Sequence, residues 1–187
     1  MVQRMLALVP DEQARAQIDL VRALYDRERV DATPPHIPLT DQFDDHYGLE
    51  DLQQMLEIIL GLFHPFMLEL GAPESWYDEG EHLLQMVAEQ GAEDAQRISS
   101  IVYRDLYPEQ TPNALIRSRS PLERTALTVG RFRREAEALS AAESLSAQRY
   151  FLVVTHVGVF DAVEQTDGPS GWSLRRSLPL GAMMADF

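Results

Sequence analysis

Two short apolar stretches, far apart in the chain, each carry one polar side chain at strand-like spacing, and each leads into an amphipathic helix. The first is Pro34-Pro35-His36-Ile37-Pro38-Leu39-Thr40. The second is Arg124-Thr125-Ala126-Leu127-Thr128-Val129-Gly130-Arg131-Phe132. The prolines ahead of His36 force extended backbone into the first stretch. On a strand, side chains i and i+2 point the same way, so a polar group in either stretch has a defined face. Two such strands in one chain constrain the fold strongly, because the elements around them recur in the same order.

Residues 3–9 read as a first strand ending at Pro10. A helix opens at Asp11, with Ala14, Ile18, Val21 and Tyr25 at 3–4 spacing. Acids at its start and Arg27 and Arg29 at its end suit the helix dipole. After a turn over 30–35 and the first motif strand, Asp41–Gly48 reads as an acidic loop. A helix over 49–62 follows, with Leu49, Leu52, Leu56, Ile59 and Phe63 inward. Phe66, Leu68 and Leu70 alternate as a strand, Gly71–Gly80 reads as a polar connection, and 82–88 as a further strand. A helix over 92–106 buries Ala95, Ile98, Val102 and Leu106. Residues 107–121 are proline-bounded and irregular, as in a mobile flap. The second half then gives a strand at 125–132, a helix at 133–145, one strand over 149–163 and a last strand over 171–178. Each half therefore reads motif strand, helix, strand, strand.

The first stretch resembles the P-H-I-T-L motif of the two-histidine phosphoesterases, the superfamily that includes 2′-5′ RNA ligase-like proteins. The second resembles that superfamily's H-L-T-V-G-R-F motif, and Gly171-Trp172-Ser173-Leu174 with Leu178-Pro179-Leu180-Gly181 is similar to its closing strand. The resemblance covers nearly the whole chain. It implies a single α+β domain over 1–187, bilobal and duplicated about a pseudo-two-fold axis, with lobes mixing roughly 1–106 and 107–187. Two antiparallel sheets would flank a central cleft, with helices outside.

The resemblance also implies a reaction. Members break a phosphodiester, commonly a 2′,3′-cyclic phosphate on RNA, without metal or other cofactor. One imidazole activates water or a ribose hydroxyl and the other protonates the leaving oxygen, while the hydroxyl residue two positions after each histidine holds the phosphate. Carried over residue by residue, His36 matches the first histidine and Thr128 the second hydroxyl. Pro38 stands at the first hydroxyl position and Ala126 at the second histidine. Loss of a general acid or base typically costs about 10²–10⁴ in rate. Arg131 occupies the family's G-R position, and Arg124 flanks Thr128 on the other side, so both are expected near a bound anion. Thr40 shares a strand face with His36 if the strand runs regularly through Pro38, and is either a phosphate contact or a turn residue.

Four other histidines are present. His156 stands in for the lost imidazole only if its strand face, shared with Leu152, Val154 and Phe160, lines the cleft; a packed or edge role is the plainer reading. His64 precedes Pro65 at a helix end. His46 follows Asp44-Asp45, where a solvated acidic turn is favoured over a metal site, and His82 beside Glu81 reads as surface. Trp76, Tyr77 and Trp172 are candidates to stack a base or simply to pack.

Charge sharpens the choice of partner. The net charge is −14, which argues against long nucleic acid. From Val30 to Gln96 there is no lysine or arginine against fifteen acids, whereas Arg117–Arg134 holds six arginines and one acid, Glu123. All sixteen basic residues are arginine, whose planar fork suits phosphate oxygens. No cysteine occurs, which excludes disulfides and thiolate sites. The apolar run Met5–Val9 is too short for a signal-peptide core, and no window is long enough to span a bilayer. A cytoplasmic monomer is expected, with a small nucleotide or a cyclic-phosphate RNA end as partner. The readings left open are a divergent phosphodiesterase, a binding module that keeps the cleft without the chemistry, and an interaction protein using its acidic half.

Overall fold

The computed structural model describes residues 2–78, 80–106, 124–163 and 171–181. In chain order the elements are β1 (Val2–Leu8), α1 (Glu12–Tyr25), α2 (Arg27–Val30), β2 (Ile37–Pro38), β3 (Phe43–Asp45), α3 (Leu49–Leu60), β4 (Phe66–Asp78), β5 (Glu81–Gln90), α4 (Ala92–Leu106), β6 (Ala126–Phe132), α5 (Glu135–Ser144), β7 (Tyr150–Val154), β8 (His156–Val163) and β9 (Gly171–Pro179). The strands form two antiparallel sheets. One is ordered β2-β1-β8-β9, with β3 also paired to β1; the other is β6-β5-β4-β7. In both, the motif strand lies at an edge beside the strand that precedes it by a helix, β1 beside β2 and β5 beside β6. The third place goes to a strand arriving after the other motif's helix, β8 in one sheet and β4 in the other. That correspondence is the pseudo-two-fold.

One hydrophobic core joins the layers. Leu6 and Leu8 from the first sheet meet Leu84, Met86, Leu127, Val129 and Leu152 from the second, with Ile18, Leu52, Leu56, Ile98 and Val102 from the helices. β1 is buried on both sides, so its other face makes a second cluster of Met5, Ala7 and Phe160, bordered by Val9, Trp172 and Leu174. Helix α1 starts where Asp11 accepts a hydrogen bond from the Ala14 N–H, an ordinary N-cap. The apolar stripe of α1 does not end in an apolar residue: after Ala14 and Ile18, the next buried position is Arg22.

Four local expectations change. Gly71–Gly80 is not a connection, because β4 runs on to Asp78 and pairs with β5 as far as Asp78↔Glu81, next to Gly80 at φ +91. The outer part of β4, from Glu74 to Asp78, runs past the core and has no buried residue on either face, which is why its sequence reads as a loop. The stretch 149–163 is not one strand: it breaks at Thr155, with β7 joining the second sheet and β8 the first. A continuous apolar run carries no mark of a change of sheet, so His156 does not share a strand face with Leu152 and Val154. The acidic loop 41–48 contains β3, and its Asp45 is ion-paired with the buried Arg4. The first motif strand spans only two residues, since Pro38 has no N–H to extend the ladder. The flap expected over 107–121 lies outside the described residues.

Candidate functional site

His36 and Thr128 line one cavity of about 210 Å³ between the edges of the two sheets. Arg131, Pro38 and Trp172 share it, as do Arg22, Asp26 and Arg29 from the end of α1 and from α2. The floor on the first-sheet side is apolar, with Met5 in the wall and the Phe160 ring 5.2 Å from the His36 ring.

His36 precedes β2 and is half-buried. Its Nδ1 lies 2.8 Å from the Pro34 carbonyl oxygen. A carbonyl only accepts, so Nδ1 carries the proton and donates, leaving Nε2 with a lone pair. Burial lowers the pKa of this histidine to about 4; the Pro34 hydrogen bond opposes the shift and the charges of Arg22 and Arg131 add to it. The imidazole is neutral at pH 7. Its Nε2 lone pair is free to accept a proton and has none to give, and burial makes it a weaker base than an exposed imidazole.

Thr128 sits on β6 opposite Gln85, whose side-chain amide donates to the threonine Oγ1 at 3.4 Å. The hydroxyl proton is left to donate elsewhere. Arg131 is three residues further on, an odd offset that in a regular strand faces the opposite side. The register slips here: Gln85 pairs with Thr128, Leu84 with Gly130 and Leu83 with Arg131, so Val129 is an extra residue. This bulge turns Arg131 to the same face as Thr128. Its guanidinium meets Glu81 at 3.3 Å and Asp26 at 3.9 Å.

Arg22 is fixed deep in the wall, pairing with Asp19 at 2.8 Å and donating to the carbonyls of Arg29 and Thr33. Asp26 lies among Arg131, Arg22 and Arg29; burial nonetheless raises its pKa against those three charges, with Glu81 adding to the rise. No motif in the sequence marks Arg22, Asp26 or Arg29 as site residues. One signal is present in the chain: Arg22 follows Ile18 by four positions, a charge on the buried stripe of an amphipathic helix.

Other candidates lie apart from this cavity. Arg124 pairs with Glu74 at 2.6 Å and covers the Trp76 ring at 4.6 Å, and it does not line the space between His36 and Thr128. Thr40 is fully buried and its Oγ1 accepts from the Leu6 N–H at 3.0 Å, which pins β1 instead of facing a ligand. His156 is bonded to the Thr155 hydroxyl at 2.8 Å and is not a lining residue. His46 and His64 are exposed, and His82 packs on Tyr77 at 5.0 Å. Among the described residues no group of three or more histidine, cysteine or acidic side chains is placed to hold a metal, and no helix is long and apolar enough to cross a membrane.

No protein-family model and no curated protein matches the chain. Solved structures do. TT0787 of Thermus thermophilus aligns with a TM-score of 0.65 at 13% identity, covering 96% of this chain and 98% of that one. E. coli LigT complexed with NADP+ aligns at 0.58 and 14% identity, covering 97% and 99%. The fold is that of the two-histidine phosphoesterases. Usb1 of Kluyveromyces marxianus shares it, with a TM-score of 0.54 at 13% identity over 95% of this chain and 98% of its own. Within this fold the chain brings both motif strands to one cavity, and Ala126, where the motif resemblance expects a histidine, is only 6% exposed. Pro38, at the first hydroxyl position, lies in the cavity wall.

Proposed function

We propose that the cavity binds the phosphoester end of a small nucleotide or RNA terminus, with a 2′,3′-cyclic phosphate as the substrate type, and that His36 acts on it as a metal-independent general base. The observation that carries this reading is that His36, Thr128 and Arg131 line one cavity of about 210 Å³. In this reading Nε2 takes the proton of the attacking water or hydroxyl. Thr128 and Arg131 donate to the phosphate oxygens, where guanidinium bonds to anions are among the stronger ones. E. coli LigT, solved with NADP+, with 3′-AMP, with phosphate and with ATP, supports a phosphate-bearing nucleotide as the ligand class.

Catalysis by this set is slow, because nothing on β6 replaces the second imidazole and its general-acid contribution of about 10²–10⁴ is missing. The test is turnover of 2′,3′-cyclic nucleotides and of short RNA with cyclic ends by the wild type and by His36→Ala. Turnover that disappears in the variant supports the proposal, and equal rates overturn the assignment of His36. The buried Ala126 favours a second reading, a nucleotide-binding protein without turnover. Saturable binding of 3′-AMP with no hydrolysis, lost in Arg131→Ala and kept in His36→Ala, supports that reading over the first.

A further inference from the structure

Asp26 has an unusual position for its role in the chain. It sits between α1 and α2, at the N-terminal flank of α2, where an aspartate ordinarily caps the helix with its side chain. It makes no such cap bond. Its carboxylate instead turns to the cavity, with 9% of the side chain exposed, and stands 3.9 Å from the Nε of Arg131. That separation is too long for a hydrogen bond. Arg131 Nε is buried and has no hydrogen-bond partner among the described residues. Arg29 also lines the cavity, and its guanidinium makes no ion pair among the described residues. One carboxylate thus faces three guanidinium groups without bonding tightly to the nearest of them.

We infer that Asp26 is a built-in competitor for the anion, occupying the field of Arg131, Arg29 and Arg22 that a tetrahedral oxyanion must share, so that the site disfavours a dianion without a proton and takes a singly charged phosphodiester or an anion carrying a P–OH. The inference rests on the proposed phosphate-binding role of the cavity and adds a selection rule to it. An ionised Asp26 repels a fully deprotonated anion such as sulfate. It accepts a hydrogen bond from the P–OH of hydrogen phosphate or of a singly protonated phosphate monoester. The His36 Nε2 lone pair, across the same cavity, favours a proton-bearing ligand for the same reason. A dianion lacking a proton, such as sulfate, binds only with uptake of one from water onto Asp26. The charged groups around this carboxylate are Arg22 on α1, Arg29 on α2, Arg131 on β6 and Glu81 on β5. His36 is neutral well below pH 7 and so does not change charge between pH 5.5 and 8.

Calorimetric titration with inorganic phosphate and with sulfate, at several pH values from 5.5 to 8, tests this in the wild type and in Asp26→Asn. The wild type is expected to prefer phosphate to sulfate by about tenfold or more at pH 7, and to lose sulfate affinity as pH rises. Asp26→Asn is expected to bind sulfate about tenfold more tightly and to show little pH dependence. Should both proteins bind both anions alike, the competitor role is overturned while the anion site stands. Should neither protein bind either anion, the phosphate reading fails and this inference fails with it. If Asp26→Asn does not fold, the Asp26 carboxyl resonance of the wild type is followed by NMR. Sulfate is expected to raise its titration midpoint, and an unmoved midpoint at saturating sulfate overturns the inference.

Discussion

Thr128 and Arg131 face the same cavity although they lie three positions apart along β6. The bulge at Val129 makes this possible, and the close seat of α1 on β6 holds it. A Cβ at Gly130 would lie 2.9 Å from the Tyr25 Cβ and 3.2 Å from the Leu84 Cβ. The helix therefore rests almost directly on the strand backbone, which brings Asp26, one residue beyond Tyr25, to Arg131.

Gly130→Ala forces those backbones apart. Overpacking of this kind typically costs about 1–3 kcal/mol. Urea unfolding is expected to show a loss in that range, and anion affinity is expected to fall with it as Arg131 moves from Thr128. A variant as stable and as tight-binding as the wild type would mean that the seat of α1 does not set the site.

His36 gives a pH signature. Its pKa is lowered in the folded protein to about 4 from 6.5, so the folded state disfavours its protonated form. Its stabilising contribution is complete above about pH 6.5 and is lost as pH falls towards 4. The loss is at most roughly 3 kcal/mol for a shift of that size. Chemical denaturation across this window is expected to show the wild type losing stability relative to His36→Gln as the pH falls. If the protein turns over cyclic nucleotides, the acidic limb of its pH profile is expected near 4 and not near 6.5.

Thr40 and Thr128 separate structure from binding. Thr40→Val leaves the buried Leu6 N–H without its side-chain acceptor, at a cost of about 1–3 kcal/mol in stability. Phosphate affinity is expected to stay within twofold. Thr128→Val is expected to do the reverse, weakening phosphate binding while stability changes by less than about 1 kcal/mol. Parallel thermal and binding measurements on the two variants check both outcomes.

A buried ion network ties the second end of β1 to β3 and β8. Arg4 pairs with Asp45 and, at 2.9 Å, with Asp161, which also receives Arg175 at 2.8 Å. Burial alone raises the Asp161 pKa, but the hydrogen bonds from Arg175 and Arg4 outweigh it and the net shift is downward. Asp161→Ala leaves Arg4 with one partner in a buried setting. A loss of about 3–5 kcal/mol is expected from breaking a pair in that way, measured by denaturant unfolding at pH 7. The difference from the wild type is expected to shrink as the pH falls through the lowered Asp161 pKa.

Much of the architecture is legible in the chain before folding. The Asp11 cap, the stripe Ala14–Ile18, the Leu52–Leu56–Ile59 face and the alternation of Leu68 and Leu70 each fix an element by local periodicity and burial. The element order and the two motif stretches lead to the duplicated fold, and His36, Thr128 and Arg131 all follow from those stretches. Arg124 and Thr40 follow on the same grounds and lie elsewhere, since being near a motif in sequence does not say what a side chain finds to bond.

Local pattern set where helices and strands form, because backbone geometry and apolar spacing are properties of neighbouring residues. Packing alone chose what meets at the cavity. The break at Thr155 sent two halves of one apolar run to different sheets, and one extra residue in β6 reversed the side to which Arg131 points. The seat of α1 on Gly130 added Arg22, Asp26 and Arg29 to a site whose sequence motifs contain none of them. Those outcomes depend on contacts between segments tens of residues apart, for which no short stretch of the chain carries the information.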